Sequence, residues 1–169
     1  MQIAFMLAAL NDLDILACDI GNATLNAPCQ EKIWFVAGPE FGSRQGTVIR
    51  IVRVLYGLKL SGASLRAMFN NSIQNMGFQP SITDPDFYLR PFAKPNWYRY
   101  YECILVYVDD VLIVSHAPEE HLKVIQANYE LNLASVGPPI QYLGADVEKV
   151  QKPGGPTGRE YWSSWQEPT

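Results

Sequence analysis

The chain predicts an α+β fold, an antiparallel sheet with helices packed on one face. Three observations lead there. Residues 104–115 read ILVYVDDVLIVS, two apolar β-prone runs around a pair of carboxylates, which is the pattern of a hairpin. Stretches 61–76 and 118–133 carry apolar residues at helical spacing. The elements follow the order strand, hairpin, helix, strand, hairpin, helix, strand, which suits antiparallel pairing. A length of 169 residues is about one domain, and 48% hydrophobic residues supply a core. Twelve prolines and twelve glycines indicate many turns without disorder.

Taken in order, residues 1–11 form a helix rich in Ala, Leu and Met. LDILACDI, residues 13–20, is a buried strand with Asp19 near its close. A carboxylate there is costly unless it is paired, binds a metal or emerges into solvent. Residues 31–37 and 47–53 are two strands joined by a loop. Alternation puts Ile49 and Ile51 on one face and Arg50 on the other, with Arg53 at the strand end near water. Ser61 can cap the next helix, whose core face is Leu65, Phe69, Ile73 and Met76, and Gly77 ends it. Asp84-Pro85-Asp86 is a turn. A strand at 86–90, a loop at 94–96 and a strand from 97 onward lead to Asp109.

Asp109-Asp110 is the two-residue break of the hairpin. Such turns prefer Asn-Gly or Asp-Gly because their central residues need positive φ. Asp-Asp supplies no glycine and sets two like charges side by side, which a divalent cation would compensate. Beyond it, 118–133 is a helix with Glu119 and Glu120 in its first turn and Leu122, Ile125, Tyr129 and Leu133 in the core. His116 and His121 read as surface residues. Residues 136–139 form a turn, 141–150 a last strand, 153–156 another turn, and 159–169 receive no assignment.

The totals narrow the function. A net charge of −4 is not that of a typical nucleic-acid binder. Yet residues 41–83 hold no Asp or Glu, while Arg44, Arg50, Arg53, Lys59 and Arg66 all lie there. They are either ordinary surface or a face that meets phosphates. Cys18, Cys29 and Cys103 show neither zinc spacing nor a disulfide framework, which fits a reducing compartment. The first residues lack the basic segment of a signal peptide and are too short to span a membrane.

Tyr107-Val108-Asp109-Asp110 resembles the catalytic motif of reverse transcriptases. From about residue 13 to 150 the chain is similar to the copia-type class of LTR retrotransposon reverse transcriptases. DIGNATLNAP, from Asp19, resembles their first catalytic motif; Asp12 and Asp14 lack that pattern. Leu55-Tyr56-Gly57-Leu58-Lys59 resembles the template-holding block, and Tyr142-Leu143-Gly144 the primer-gripping block. The resemblance implies a polymerase palm with part of the fingers over residues 1–150, and an unassigned extension at 151–169. It implies RNA-directed DNA synthesis by two-metal nucleotidyl transfer with two Mg²⁺ ions, Mn²⁺ being a substitute. Asp19, Asp109 and Asp110 would be catalytic and hold metal. Thr24, Gly57 and Lys59 would meet the nucleotide, and Leu143 and Gly144 the primer. Implied partners are an RNA or DNA template with primer, deoxynucleoside triphosphates, and the remaining polyprotein domains (fingers, thumb, RNase H, integrase), with no membrane. The setting would be intracellular, in cytoplasmic virus-like particles or the nucleus.

Three positions depart from the family: Gly21 stands where Lys is usual, Thr24 where Phe or Tyr is usual, and Leu65 where Trp is usual. The aromatic ring at the Thr24 position excludes a 2′-hydroxyl in the family. Without full fingers and thumb, the chain is expected to synthesise weakly or not at all in isolation. Two alternatives share its features: a catalytically dead retrotransposon remnant, and another palm-type nucleotidyl-transfer enzyme such as a nucleotidyl cyclase. The cyclase would lack the Leu-Tyr-Gly-Leu-Lys block.

Overall fold

Period-two burial along one strand organises the molecule. In the computed structural model, which describes residues 2–29, 31–55, 61–94, 97–151 and 160–165, that strand is β1 (Asp14–Ile20). Leu16, Cys18 and Ile20 face one core, while Ile15 and Ala17 face another. Around it run α1 (Gln2–Asn11), α2 (Ala23–Asn26), β2 (Trp34–Val36), β3 (Val48–Arg50), α3 (Ser61–Asn75), β4 (Gln79–Pro80), β5 (Phe87–Ala93), β6 (Arg99–Tyr107), β7 (Asp110–Ser115), α4 (Pro118–Asn128), β8 (Leu131–Gly137), β9 (Gln141–Tyr142), β10 (Ala145–Gln151) and β11 (Glu160–Trp165). The main sheet has the order β4-β5-β6-β7-β1-β8 and is antiparallel throughout. A second sheet has the order β11-β10-β9, and β2 pairs with β3.

The long helices α3 and α4 lie on one face of the main sheet, as the periodicity predicts. They set Leu65, Phe69, Ile73, Leu122 and Ile125, with Tyr129 just past α4, against Ile104, Val106, Val111 and Ile113. The opposite face is also covered. There α1 brings Ala4, Phe5 and Ala8, and the second sheet brings Tyr142, Val147 and Trp162, onto Ile15, Cys103, Leu105, Leu112 and Val114. Burial on both faces explains why β6 and β7 read as continuous apolar runs. Gly77, at φ +87, closes α3: its N–H donates to Gln74 O at 2.9 Å and the Phe78 N–H to Ile73 O at 3.3 Å. This is the Schellman pattern, with Ile73 and Phe78 both in the core. No helix among the described residues is long and apolar enough to cross a membrane.

Four expectations are corrected. The 118–133 helix stops at Asn128, Tyr129 is extended, and residues 131–137 form the edge strand β8 on β1. Leu131 takes the core position while Leu133 is 72% exposed. The open edge of β1 offers ladder hydrogen bonds that outweigh helical spacing. The 141–150 strand is a hairpin, folded at Leu143 (φ 49) and Gly144 (φ 75), which supply the two positive φ angles of a tight turn. Residues 160–165 of the unassigned tail pair with β10 along its length and bury Trp162. The two histidines are not mere surface residues, because both engage Glu102.

Glu102, on β6, is fully buried. Arg90 donates to it through Nε at 3.2 Å and through Nη2, and Ser115 Oγ donates at 2.7 Å. His116 Nδ1 lies 2.7 Å from one carboxylate oxygen and His121 Nε2 3.5 Å from the other. Burial works to raise the carboxyl pKa, but hydrogen bonds from His121, Ser115, Arg90 and His116 outweigh it and hold the group well below its ordinary 4.5. A carboxyl depressed in this way adds stability above its ordinary value and loses it as the pH falls toward the folded value. Glu102→Ala should cost about 3–5 kcal/mol, because Arg90 and the histidines lose their shared acceptor inside the protein. Urea denaturation at pH 7 measures this. Glu102→Gln should in addition flatten the loss of wild-type stability below pH 4.5.

Candidate active site at the carboxylate hairpin

Antiparallel pairing of β1 with β7 sets Asp14 opposite Ser115 and runs without a slip to Asp19 opposite Asp110. Directly opposed residues on one face bring their Cβ atoms to about 4.5–5.5 Å. Asp19 and Asp110 are therefore neighbours, on the sheet face away from α3 and α4. Register thus joins two carboxylates that lie far apart in the chain.

The hairpin turn is displaced by one residue from the expected position. Tyr107 pairs with Asp110, so the central residues are Val108 and Asp109 rather than Asp109 and Asp110. Asp110 belongs to β7 because its alternation with buried Val111 must match that of β1. Val108 then carries the positive φ, +58°. For a β-branched residue this is an unusual, strained conformation, of the kind that costs about 1–3 kcal/mol. The turn is tied down by the Ile20 N–H, which donates to Asp109 O at 3.0 Å. Asp109 is thereby anchored beside the end of β1, one residue past Asp19.

Burial first, then the charges of Asp109 and Asp19, raise the pKa of Asp110. Among the described residues, no three His, Cys, Asp or Glu side chains are drawn together into a ready cage for a metal. The arrangement is a register pair with a third carboxylate next to it on the turn. This set of hard oxygen donors, whose charges oppose one another, suits Mg²⁺ or Mn²⁺. The Cys18 thiol beneath is pushed up to about 12 by burial, then by Asp19 and Asp110, so it is inert as a nucleophile. Tyr142 packs into the core on the same face, its hydroxyl buried without a hydrogen-bond partner. Burial, then Asp110 and Cys18, keeps that phenol protonated.

The other expected site residues fall as follows. Leu143 and Gly144 form the exposed turn between β9 and β10. Thr24 lies in α2, just past β1; its side chain, Gly57 and Lys59 lie outside the described residues. A Cβ at Gly21 would meet Glu130 O at 3.5 Å, an ordinary contact, so the backbone here does not demand glycine. A cavity of about 330 Å³ opens between the start of α3 and the hairpin, lined by Gly62, Leu65, Phe69, Tyr88, Val106 and Tyr107 among others. On the other edge of β1, Asp19 meets Asn132 and Ser135 of β8. Sequence reasoning missed both, having placed 132 in a helix and 135 between elements. The residual signal was the Pro-Pro turn that follows.

A raised carboxyl pKa means that the ionised form opposes folding, so metal-free stability should rise as the pH falls through the raised value toward the ordinary 3.8. Asp110→Asn should likewise stabilise the metal-free protein at pH 7, by about 0.2–1 kcal/mol, the range for like charges directly opposed across strands. Thermal melts in chelator would show the gain, and added Mg²⁺ or Mn²⁺ should raise the midpoint of the wild type more than that of the variant.

Comparison with known proteins places the chain in a family. The family model for reverse transcriptase (RNA-dependent DNA polymerase) matches residues 1–157. The chain is 26% identical over 161 residues to the retrovirus-related Pol polyprotein from transposon TNT 1-94 of Nicotiana tabacum. That alignment covers 94% of this chain and 11% of the polyprotein, so the chain spans about a tenth of its relative. Both findings accord with the copia-type resemblance carried by the motifs, and the chain belongs to the reverse transcriptase (RNA-dependent DNA polymerase) family.

Proposed function

We propose that this chain is the palm of an RNA-directed DNA polymerase acting by two-metal nucleotidyl transfer. The observation that carries the reading is the register pair Asp19–Asp110, with Asp109 held beside it on a strained, anchored turn. Asp19 and Asp109 would hold two divalent ions, Mg²⁺ or Mn²⁺, with Asp110 supporting the cluster. When bound, the ions supply Lewis acidity for the attacking 3′-hydroxyl and neutralise the leaving pyrophosphate. The chain's own contribution is positioning: β1 and β7 fix the carboxylates in a rigid sheet, so little reorganisation accompanies metal and substrate binding. Gly57, Lys59 and Thr24 would meet template and nucleotide, and Leu143 and Gly144 the primer. The partners would be primed RNA or DNA, deoxynucleoside triphosphates and the other Pol domains: fingers, thumb, RNase H and integrase. The setting would be intracellular, in cytoplasmic virus-like particles or the nucleus.

Primer extension on an RNA template with Mg²⁺ or Mn²⁺ tests the reading. Extension should be weak and should fall by roughly a hundredfold or more in Asp109→Asn, since misplacing a catalytic ligand costs on that order. Metal-dependent extension that survives Asp109→Asn would exclude the assignment. In single-nucleotide incorporation, Thr24→Tyr should raise the preference for deoxy- over ribonucleotides, and an unchanged ratio would show that this position does not gate the sugar.

A further inference from the structure

Asp19 sits between two neighbours that hold it differently. On the β7 side the ladder is regular, whereas on the β8 side the register breaks. Ala17 pairs with Gly137, but Asp19 pairs with Asn132 and Ile20 with Leu131. Residues 133–136 therefore bulge out opposite Cys18 alone. A bulge of this size removes the backbone carbonyl that would accept the Asp19 N–H, and a buried N–H left without a partner is costly. Ser135 fills the gap: its Oγ accepts the Asp19 N–H at 2.8 Å and donates to Asn132 O at 2.7 Å. The Asn132 side chain completes the arrangement. Its Oδ1 accepts the Ala134 N–H at 3.3 Å, which turns Nδ2 toward Asp19 Oδ2 at 3.5 Å.

From this geometry we infer that Ser135 and Asn132 are positioning residues for Asp19: Ser135 fixes its backbone across the bulge and Asn132 orients its carboxylate toward the divalent ion. The inference rests on the two-metal reading above. Bulges re-aim side chains, and groups hydrogen-bonded to a metal ligand change metal affinity by about 10–100-fold when removed. Asp19 is held from β7 through the ladder and from β8 through a hydroxyl. Its carboxylate keeps only its own torsions, and Asn132 limits those. Asp109 and Asp110 receive their placement from the hairpin, so β8 acts on one carboxylate of the three. Ser135 is partly exposed on an edge strand, and its replacement leaves both cores intact.

Two measurements on the whole 169-residue chain test this: Mn²⁺ affinity by electron paramagnetic resonance, and amide hydrogen exchange at Asp19 in chelator. Ser135→Ala should weaken Mn²⁺ binding about tenfold and speed exchange of the Asp19 amide, while Ser135→Thr restores both. Asn132→Ala should weaken Mn²⁺ binding several-fold with the Asp19 amide still protected. Asp19→Asn is the reference for loss of the ligand. Wild-type Mn²⁺ affinity in Ser135→Ala, with Asp19→Asn weakened, overturns the positioning role and leaves the metal site standing. Wild-type affinity in Asp19→Asn overturns the metal-site reading and the positioning role with it. Weaker binding that tracks a lowered melting midpoint in Ser135→Ala, without rescue by Ser135→Thr, marks a merely structural serine and also overturns the inference.

Discussion

The pairing register of β1 with β7 is the constraint on which the rest of the structure depends. Side chains alternate with a period of two, so a slip of one residue would turn every apolar side chain of β1 out of its core. Leu16, Cys18 and Ile20 must face α3 and α4, and Ile15 must face α1. That leaves Asp19 a single place, opposite Asp110. The carboxylate pair is thus specified by hydrophobic burial rather than by any attraction between its members. The displaced turn follows from the same demand. With Asp110 held in β7 by register, the two-residue connection falls on Val108 and Asp109, and a valine carries the positive φ.

Two buried or half-buried carboxylates on this hairpin show how environment separates structural from chemical roles. Glu102 has an arginine, a serine and two histidines around it, and its hydrogen bonds overcome the cost of burial. Asp110, at the other end of the same pair of strands, has two further carboxylates as neighbours, and every influence on it opposes ionisation. The first arrangement is satisfied by the protein alone. The second keeps a repulsion that, in the two-metal reading proposed above, divalent ions would offset. The electrostatic cost at one end of β6 and β7 is borne by apolar burial along both faces and by the satisfied network at the other end.

Much of this was legible in the sequence wherever local chemistry and burial agree. β1 reads directly from LDILACDI, α3 from its apolar stripe and Gly77, and the 84–86 turn from Asp-Pro-Asp, whose Asp84 carboxylate indeed accepts the Asp86 N–H at 3.1 Å. The motifs around Asp19 and Asp109 pointed to the family. What was not legible depends on partners distant in the chain. Leu133 fits a helical stripe, and only the free edge of β1 makes 131–137 a strand. His116 and His121 look idle until Glu102 is placed between them. Ser135 has no local signature beyond the Pro-Pro turn that follows it, because its role is created by a bulge against a strand more than a hundred residues earlier.

The second core differs from the first in a way that bears on the site. Around α3 and α4 the buried side-chain polar groups of the described residues are satisfied. Tyr129, for example, hydrogen-bonds through its hydroxyl with Ser72. Beneath α1 and the β9–β11 sheet, Tyr142 Oη and Trp162 Nε1 are buried without partners. Each such group forfeits about 1–3 kcal/mol of hydration. The sheet carrying the Leu143–Gly144 turn thus bears a polar cost that the packing around α3 and α4 does not show among the described residues. In the reading proposed above, the carboxylates and the turn assigned to the primer lie on different sheets, joined by apolar packing and by the ion pair of Lys149 with Asp14 at 3.1 Å.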